Sequence, residues 1–163
     1  MDPSTAAAPS VGALRSDSVD RTRALGRAIG AAAAPGTILA LVGPLGAGKT
    51  QLAKGVADGL GVTSVVNSPT FVLMNEHAGR LRLFHVDAYR LADPQEAIEA
   101  GLFDERQAAG VTVVEWADRL DGSLPTERLD LRIEPDPLDA CGRAISWVAH
   151  GDAHAALAIE ALR

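Results

Sequence analysis

The segment TILALVGPLGAGKT, residues 37–50, carries the most specific structural signal in this 163-residue chain. Its first six residues form a continuous run of apolar and β-branched side chains, which is typical of a strand buried in a parallel sheet. Its last eight residues match the pattern G-x-x-x-x-G-K-[ST] in full. With this composition, a chance match anywhere in the chain has a probability of roughly two in a thousand. The stretch therefore predicts a strand, a phosphate-binding loop and the first turn of a helix.

The chemistry of such a loop assigns tasks to its residues. Glycines let consecutive backbone N–H groups turn towards a phosphate, and the N-terminus of the following helix adds positive potential. We expect Lys49, one of only two lysines in the chain, to reach the β and γ phosphates of a nucleotide. The Thr50 hydroxyl would bind Mg²⁺. The residues expected to bind the nucleotide are Leu45, Gly46, Ala47, Gly48, Lys49 and Thr50.

Two acidic residues end apolar strands downstream of the loop. Asp87 ends LRLFHVD, and Glu115 ends VTVVE, which is the more strongly apolar strand of the two. Mg²⁺ prefers hard oxygen ligands, and in phosphate-loop proteins one ligand is usually an acid at the end of such a strand. We expect at least one of these carboxylates to face the metal. The spacing leaves open which of them binds Mg²⁺ and which positions water.

Four further residues lie where they could act at this site, and each also has a simpler structural interpretation. Ser68 and Thr70, in the segment SPTF, could sense the γ-phosphate as switch segments do, or could form an ordinary Ser-Pro turn. Arg90 could neutralise charge during phosphoryl transfer, although an ion pair is the better interpretation. Trp116 could pack over the site, although a position in the core is the better interpretation. His85, between them in sequence, is interpreted as structural.

The remaining pattern predicts an α/β protein with a three-layer, P-loop NTPase-like fold, a mixed central sheet and a C-terminal antiparallel hairpin. Apolar residues recur at helical spacing after a Ser18 cap and again after the loop. Residues 1–16 are expected to form a flexible N-terminal tail, and residues 17–163 a single P-loop domain. The predicted helices are 19–32, 52–60, 94–100 and 152–162, and the predicted extended segments are 37–42, 65–66, 81–86, 111–114, 128–133 and 144–148.

Composition narrows the classes of function. The formal net charge is −6 and the isoelectric point is about 5.1, which opposes a free-standing nucleic-acid binder because phosphate contacts need clustered Lys and Arg. The single cysteine, Cys141, fits a reducing compartment. No segment approaches the roughly 18–20 apolar residues that span a bilayer, and residues 1–10 lack the features of a secretory signal. We therefore expect a cytoplasmic protein that does not contact a membrane.

The motifs GPLGAGKT, SPTF, HVDAYRL and VVEW follow one another in this order. This arrangement resembles the TsaE (YjeE) family of small bacterial P-loop ATPases, from about residue 17 to residue 147. Members of this family act in making the threonylcarbamoyl modification of the tRNA adenosine beside the anticodon. Two positions depart from the family pattern. Pro44 stands where many members have an acidic residue, and Ala88 replaces the more usual Leu.

The resemblance implies a role for each matching residue. Lys49 and Thr50 would take the phosphate and Mg²⁺ roles, Glu115 would be the acidic residue of the metal site, and Asp87 would be needed for hydrolysis. Thr70 falls in the family's switch-like segment, and Trp116 matches the Trp that follows the acidic residue. The resemblance also implies ATP and Mg²⁺ as cofactors and a complex with the TsaD and TsaB proteins. Hydrolysis would be slow or dependent on these partners, and tRNA would be met only indirectly.

Other functions use the same loop. A small-molecule kinase usually carries a lid with several Arg residues, whereas residues 91–107 hold only Arg106. A regulatory GTPase needs an N-K-x-D segment to recognise guanine, and the chain has none. A nucleotide-gated binding module with incidental hydrolysis remains open at this stage, because slow ATPases and switches share the residues named above.

Overall fold

The computed structural model describes residues 8–69, 73–120 and 122–162. These residues form a seven-stranded sheet in the order β1-β7-β6-β2-β5-β4-β3, with helices on both faces. The strands are β1 Ser10–Ser16, β2 Ile38–Val42, β3 Met74–His77, β4 Leu83–Asp87, β5 Val111–Glu115, β6 Arg128–Asp136 and β7 Asp139–His150. The helices are α1 Val19–Ala32, α2 Lys49–Gly59, α3 Gln95–Glu99, α4 Glu105–Ala108, α5 Asp152–Ala161 and a 3-10 helix at Ala117–Leu120.

The strand that leads into the phosphate-binding loop lies inside the parallel part of the sheet. β2 pairs in parallel with β5 on one side and with β6 on the other, and β4 continues the parallel set beyond β5. The register places Glu115 beside Leu41 on β2 and beside Asp87 on β4. Because parallel strands end at the same edge, the two predicted acids and the loop meet there. The predicted mixed sheet and the antiparallel hairpin, formed by β6 and β7, are confirmed.

Two apolar clusters hold helices against the two faces of the sheet. On one face, α1, α2 and α5 pack over alternate residues of the parallel strands, such as Leu39 and Val113. On the other face, Ala40 and Val114 pack against α3 and the 3-10 helix. The strands β4 and β5 are therefore covered on both sides, which explains their nearly continuous apolar sequences. Among the helices in the described ranges, none has the length and hydrophobicity of a transmembrane segment.

The sequence-based expectation of a flexible tail over residues 1–16 is wrong for residues 10–16. These residues form β1, which pairs antiparallel with β7 along its whole length. Gly12 brings the strand flat against the indole of Trp147, where a Cβ atom would overlap the ring. The stabilisation comes from a partner strand more than 120 residues away, and a seven-residue segment in which four residues are Ser, Gly or Ala carries little strand signal of its own. Residues 1–7 lie outside the described part of the chain.

Smaller differences concern short elements. The extended segment expected at 65–66 forms no strand, and the strand in this part of the chain is β3. The hairpin strands are longer than predicted, so Pro135, Asp136 and Gly142 belong to strands and the turn is at 137–138. The four-residue helix α4 was not expected. Its cap, Asp104, accepts hydrogen bonds from the backbone N–H groups of Arg106 and Gln107.

Helices α1 and α2 approach each other closely through four glycines. A Cβ atom on Gly26 or Gly30 would overlap a backbone carbonyl of α2, and one on Gly55 or Gly59 would overlap a carbonyl of α1. Glycine in a helix interior costs roughly 0.5–1 kcal/mol relative to alanine, so the close contact has to offset four such penalties. Since α2 begins at the phosphate-binding loop, this contact fixes the helix that carries the loop against the body of the domain.

The substitution Gly30→Ala tests this close contact by the sign of its effect. Helix propensity alone would make the variant more stable by about 0.5–1 kcal/mol. Because the added methyl overlaps the carbonyl of Val56, we expect instead a destabilisation of about 1–3 kcal/mol. Urea denaturation at neutral pH measures the difference. A variant more stable than the wild type would contradict the close-packing account.

Candidate functional site

The phosphate-binding loop, the start of α2 and the ends of β4 and β5 enclose a groove of about 480 Å³. Of the six residues expected to bind a nucleotide, five line this groove, whereas the side chain of Ala47 is fully buried behind the loop. Both acids predicted from the sequence also line it. The lining residues are Leu45, Gly46, Gly48, Lys49, Thr50, Gln51, Ser68, Asp87, Tyr89, Glu115 and Trp116.

The loop curls around the ammonium group of Lys49. Gly46 and Gly48 adopt φ angles of 78° and 111°, a region that favours glycine. Lys49 Nζ donates hydrogen bonds to the carbonyl oxygens of Gly43 at 2.6 Å and Pro44 at 2.8 Å. It also lies 4.0 Å from the centre of the Trp116 ring. Burial is the main cause that lowers the pKa of Lys49, although the nearby carboxylates of Glu115, Asp118 and Asp87 oppose this effect.

Glu115 is the centre of a buried hydrogen-bond cluster at the end of β5. Its Oε1 accepts from the Thr50 hydroxyl at 2.7 Å, and its Oε2 accepts from the Ser68 hydroxyl at 2.8 Å and pairs with His85 Nε2 at 2.5 Å. Burial by itself would raise the pKa of this carboxyl group. The hydrogen bonds from His85, Thr50 and Ser68, together with the charge interaction with His85, outweigh burial and lower the pKa. Glu115 is therefore held as a carboxylate beside Thr50.

Asp87 lies on the neighbouring strand but takes no part in this cluster. Its side chain is half-buried, lines the groove and accepts a hydrogen bond from the backbone N–H of Tyr89 at 2.9 Å. The two acids thus have different surroundings. Glu115 is buried and bonded to a hydroxyl of the phosphate-loop helix, whereas Asp87 borders the open groove. This difference makes Glu115 the better candidate for a metal ligand and leaves Asp87 free to orient a water molecule.

Trp116 is half-buried, and it both packs against the apolar cluster of Ala40 and Val114 and lines the groove, so it is not a plain core residue. It has a φ angle of 57°, unusual for a bulky residue, and this turn places the indole at the wall of the groove. Its ring packs 4.8 Å from the ring of Tyr89, over which the guanidinium of Arg119 lies. The tryptophan that does lie in the core is Trp147.

Of the other residues that the sequence analysis named, some lie at the groove and some do not. Ser68 bonds to Glu115, so it belongs to the site, while Thr70 lies outside the described residues. Arg90 is exposed, and among the described residues it takes part in no ion pair. Arg106, the lone arginine of the segment that a kinase lid would need, bonds through its guanidinium to both carboxylate oxygens of Glu76, at 2.8 and 2.6 Å.

His85 is a site residue that sequence reasoning missed. It is completely buried, and its Nδ1 has no partner among the described residues, so its one polar contact is with Glu115. A signal was present in the sequence. His85 precedes Asp87 by two residues on a strand, so both side chains are on the same face of the sheet as Glu115. Recognising the contact, however, required knowing that β4 and β5 are neighbours.

Comparisons with known proteins agree on one family. The family model described as threonylcarbamoyl adenosine biosynthesis protein TsaE matches residues 16–145. The tRNA threonylcarbamoyladenosine biosynthesis protein TsaE of Bacillus subtilis is 41% identical over 88% of this chain and 89% of its own length. The protein of the same name from Treponema pallidum is 38% identical over 74% of this chain and 91% of its own length. The crystal structure of Bacillus subtilis YdiB matches with a TM-score of 0.81 and 35% identity, covering 95% of this chain and 96% of that one.

A double-mutant cycle tests the bond between His85 and Glu115. His85→Ala removes a hydrogen-bond donor from a buried carboxylate and leaves a cavity, so we expect a loss of about 2–4 kcal/mol in the free energy of unfolding. In a Glu115→Gln background the same substitution should cost at least about 1 kcal/mol less, because the charge it serves is gone. Urea denaturation of the four proteins gives both numbers. An equal cost in both backgrounds would show that His85 contributes packing alone.

Proposed function

This chain belongs to the TsaE family, and we propose that it acts in tRNA N6-threonylcarbamoyladenosine (t6A) biosynthesis as an accessory Mg²⁺-dependent ATPase. The observation that carries the proposal is the meeting of Lys49, Thr50 and Glu115 at one groove beside a complete phosphate-binding loop. The t6A role follows from the relatives, which carry that name over most of the chain. A triphosphate and a metal fit the chemistry of the groove, and ATP as the nucleotide follows from the resemblance to the family.

The residues of the groove fit ATP and Mg²⁺. Lys49 and the backbone N–H groups at the start of α2 would bind the phosphates. The Thr50 hydroxyl and the Glu115 carboxylate, already 2.7 Å apart, are the hard oxygen donors that Mg²⁺ prefers. When bound, Mg²⁺ supplies neutralisation of the charge that develops on the phosphate oxygens. In this assignment Thr50 and Glu115 are the metal ligands, Lys49 stabilises the transferred phosphoryl group, and Asp87 orients the attacking water.

The surroundings of the groove support a partner-dependent mechanism. Leu45 at the tip of the loop is 85% exposed and Tyr89 is 48% exposed, so apolar surface borders the nucleotide site. We propose that the TsaD and TsaB proteins dock near this rim and complete the site, and that hydrolysis by the isolated chain is slow. Ser68 and the neighbouring Thr70, with Arg90 and Trp116, are the residues proposed to respond to the γ-phosphate or to the partners.

Charge and cysteine content complete the proposal. With a net charge of −6, the chain would meet tRNA indirectly through its partners. The exposed, unpaired Cys141 suits the reducing cytoplasm in which tRNA is modified.

A small-molecule kinase is the second function that the loop allows. The engagement of Arg106 with Glu76 argues against it, since a kinase lid needs arginines directed at a second substrate.

The proposed function is tested by the rate of ATP hydrolysis with and without the partner proteins. We expect Mg²⁺-dependent ATP hydrolysis to rise at least about tenfold when TsaD and TsaB proteins are added, with GTP a poor substitute. Lys49→Ala should abolish nucleotide binding or hydrolysis, whereas Lys54→Ala, the matched control at the only other lysine, should leave both unchanged. Glu115→Ala and Asp87→Ala should strongly reduce the rate of ATP hydrolysis, with a smaller effect on the stability of the fold.

Normal ATP hydrolysis by Lys49→Ala would overturn the site assignment. Phosphorylation of a small hydroxylated substrate, without formation of a complex with TsaD and TsaB proteins, would favour the kinase function.

The second prediction uses Trp116 as a reporter of nucleotide binding. Phosphates that attract the Lys49 ammonium would draw it away from the Trp116 ring, so the emission of Trp116 should change on addition of ATP and Mg²⁺. The chain has one other tryptophan, Trp147, which lies in the core. Trp147→Phe should keep the change and Trp116→Phe should lose it. A change that survives in Trp116→Phe would place the responding tryptophan away from the groove.

A further inference from the structure

The phosphate-binding loop is held from outside the groove by an arginine of the C-terminal hairpin. Arg143, a half-buried residue near the start of β7, donates from Nε to the carbonyl of Ala47 at 2.8 Å. One of its terminal nitrogens donates to the carbonyl of Gly46 at 3.3 Å. These contacts join parts of the chain that are 96 residues apart. No motif that predicts the loop includes this residue.

The other terminal nitrogen of Arg143 fastens the guanidinium to the hairpin itself. It donates to the carbonyl oxygens of Ala140 at 2.9 Å and Gly142 at 2.8 Å. The planar group therefore bridges two backbone segments through four carbonyl oxygens. Within the described ranges Arg143 forms no ion pair, so no carboxylate neutralises its charge beside the loop.

The orientation of a peptide group explains what the bridge does. In a trans peptide the C=O and the following N–H point in opposite directions. Arg143 holds the carbonyl of Ala47 towards the hairpin, so the N–H of Gly48 is directed to the opposite side, where the groove lies. β6 supports the loop from the same side, because Gly43 lies so close to the Ile133 carbonyl that a Cβ atom would overlap it.

We propose that Arg143 is a positioning residue that holds the carbonyls of Gly46 and Ala47, while the Ala47 N–H donates to the Pro44 carbonyl, so that the loop presents the N–H of Gly48 to an anionic triphosphate. The inference rests on the proposed function, since the anion is the triphosphate of ATP. The inference is supported by the planar, forked arrangement of the N–H donors on the Arg143 guanidinium. Guanidinium N–H groups are fixed in one plane and reach several acceptors at once, whereas a lysine ammonium at the same place is a mobile point charge. The charge adds attraction for phosphate, but the orientation of the amides requires the fork.

The experiment compares Arg143→Lys, which keeps the charge and loses the fork, with Arg143→Ala. Arg15 provides the matched control, because it lies at the same end of the hairpin and pairs with Asp136 and Asp139 rather than with the loop. Binding of ATP and of inorganic triphosphate is measured by calorimetry. We expect Arg143→Lys to weaken both at least about tenfold and Arg15→Lys to weaken neither. Wild-type affinity in Arg143→Lys would overturn the positioning role and leave only a charge effect.

Amide hydrogen exchange in the nucleotide-free protein separates this inference from the proposed function. Of residues 46–48, Ala47 has an N–H that donates within the loop, to the Pro44 carbonyl at 3.1 Å. If Arg143 orders the loop, exchange of the Ala47 amide is faster in Arg143→Lys than in the wild type and unchanged in Arg15→Lys, with equal melting temperatures. Unchanged exchange of this amide would also overturn the proposal. A wild-type protein that binds neither ATP nor triphosphate would refute the proposed function, while the exchange result still decides whether Arg143 orders the loop.

Discussion

The hydrogen bond between Thr50 and Glu115 joins the phosphate-binding loop to the sheet, and the rest of the site depends on it. Thr50 belongs to the first turn of α2, and Glu115 ends β5, which lies directly beside the strand that leads into the loop. The bond forms because parallel pairing of β2 and β5 brings the end of one strand level with the beginning of the loop that follows the other. His85 and Ser68 then complete the coordination of the carboxylate. A carboxylate that is buried yet charged needs such donors, since burial alone would neutralise it.

Much of the fold and of the site was predictable because the relevant signals are local. The apolar run of β2, the glycines of the loop and the amphipathic pattern of α2 are contiguous in sequence, and the structure places them as predicted. Asp87 and Glu115 were found for a related reason. An acid that ends a buried strand can simply face solvent, but beside a phosphate-binding loop it is expected at the metal site, because the ends of parallel strands converge on the loop. For these residues, knowing the type of element was enough to place the side chain.

The features that sequence reasoning missed depend on contacts between distant segments. The role of His85 requires the register of β4 against β5, and the strand β1 exists because β7 offers it an edge. For Trp116 the sequence left open a place over the site and a place in the core, because the positive φ angle that turns it towards the groove cannot be read from the residue type. Arg143 contacts the loop only because the hairpin strands extend beyond their predicted ends. In each case the determining interaction is a tertiary one.

The contacts of Lys49 within its own loop affect how much affinity this residue can contribute to binding an anion. With its ammonium bonded to two carbonyl oxygens of its own loop and stacked on an indole, the lysine has already found internal substitutes for a phosphate. The carbonyl oxygens of the loop and the indole therefore compete with a phosphate for the Lys49 ammonium, and an anion that binds Lys49 must displace these contacts. The affinity that Lys49 contributes is therefore the difference between its contacts with a phosphate and the contacts that it gives up, and this difference is smaller than a lysine–phosphate contact taken alone.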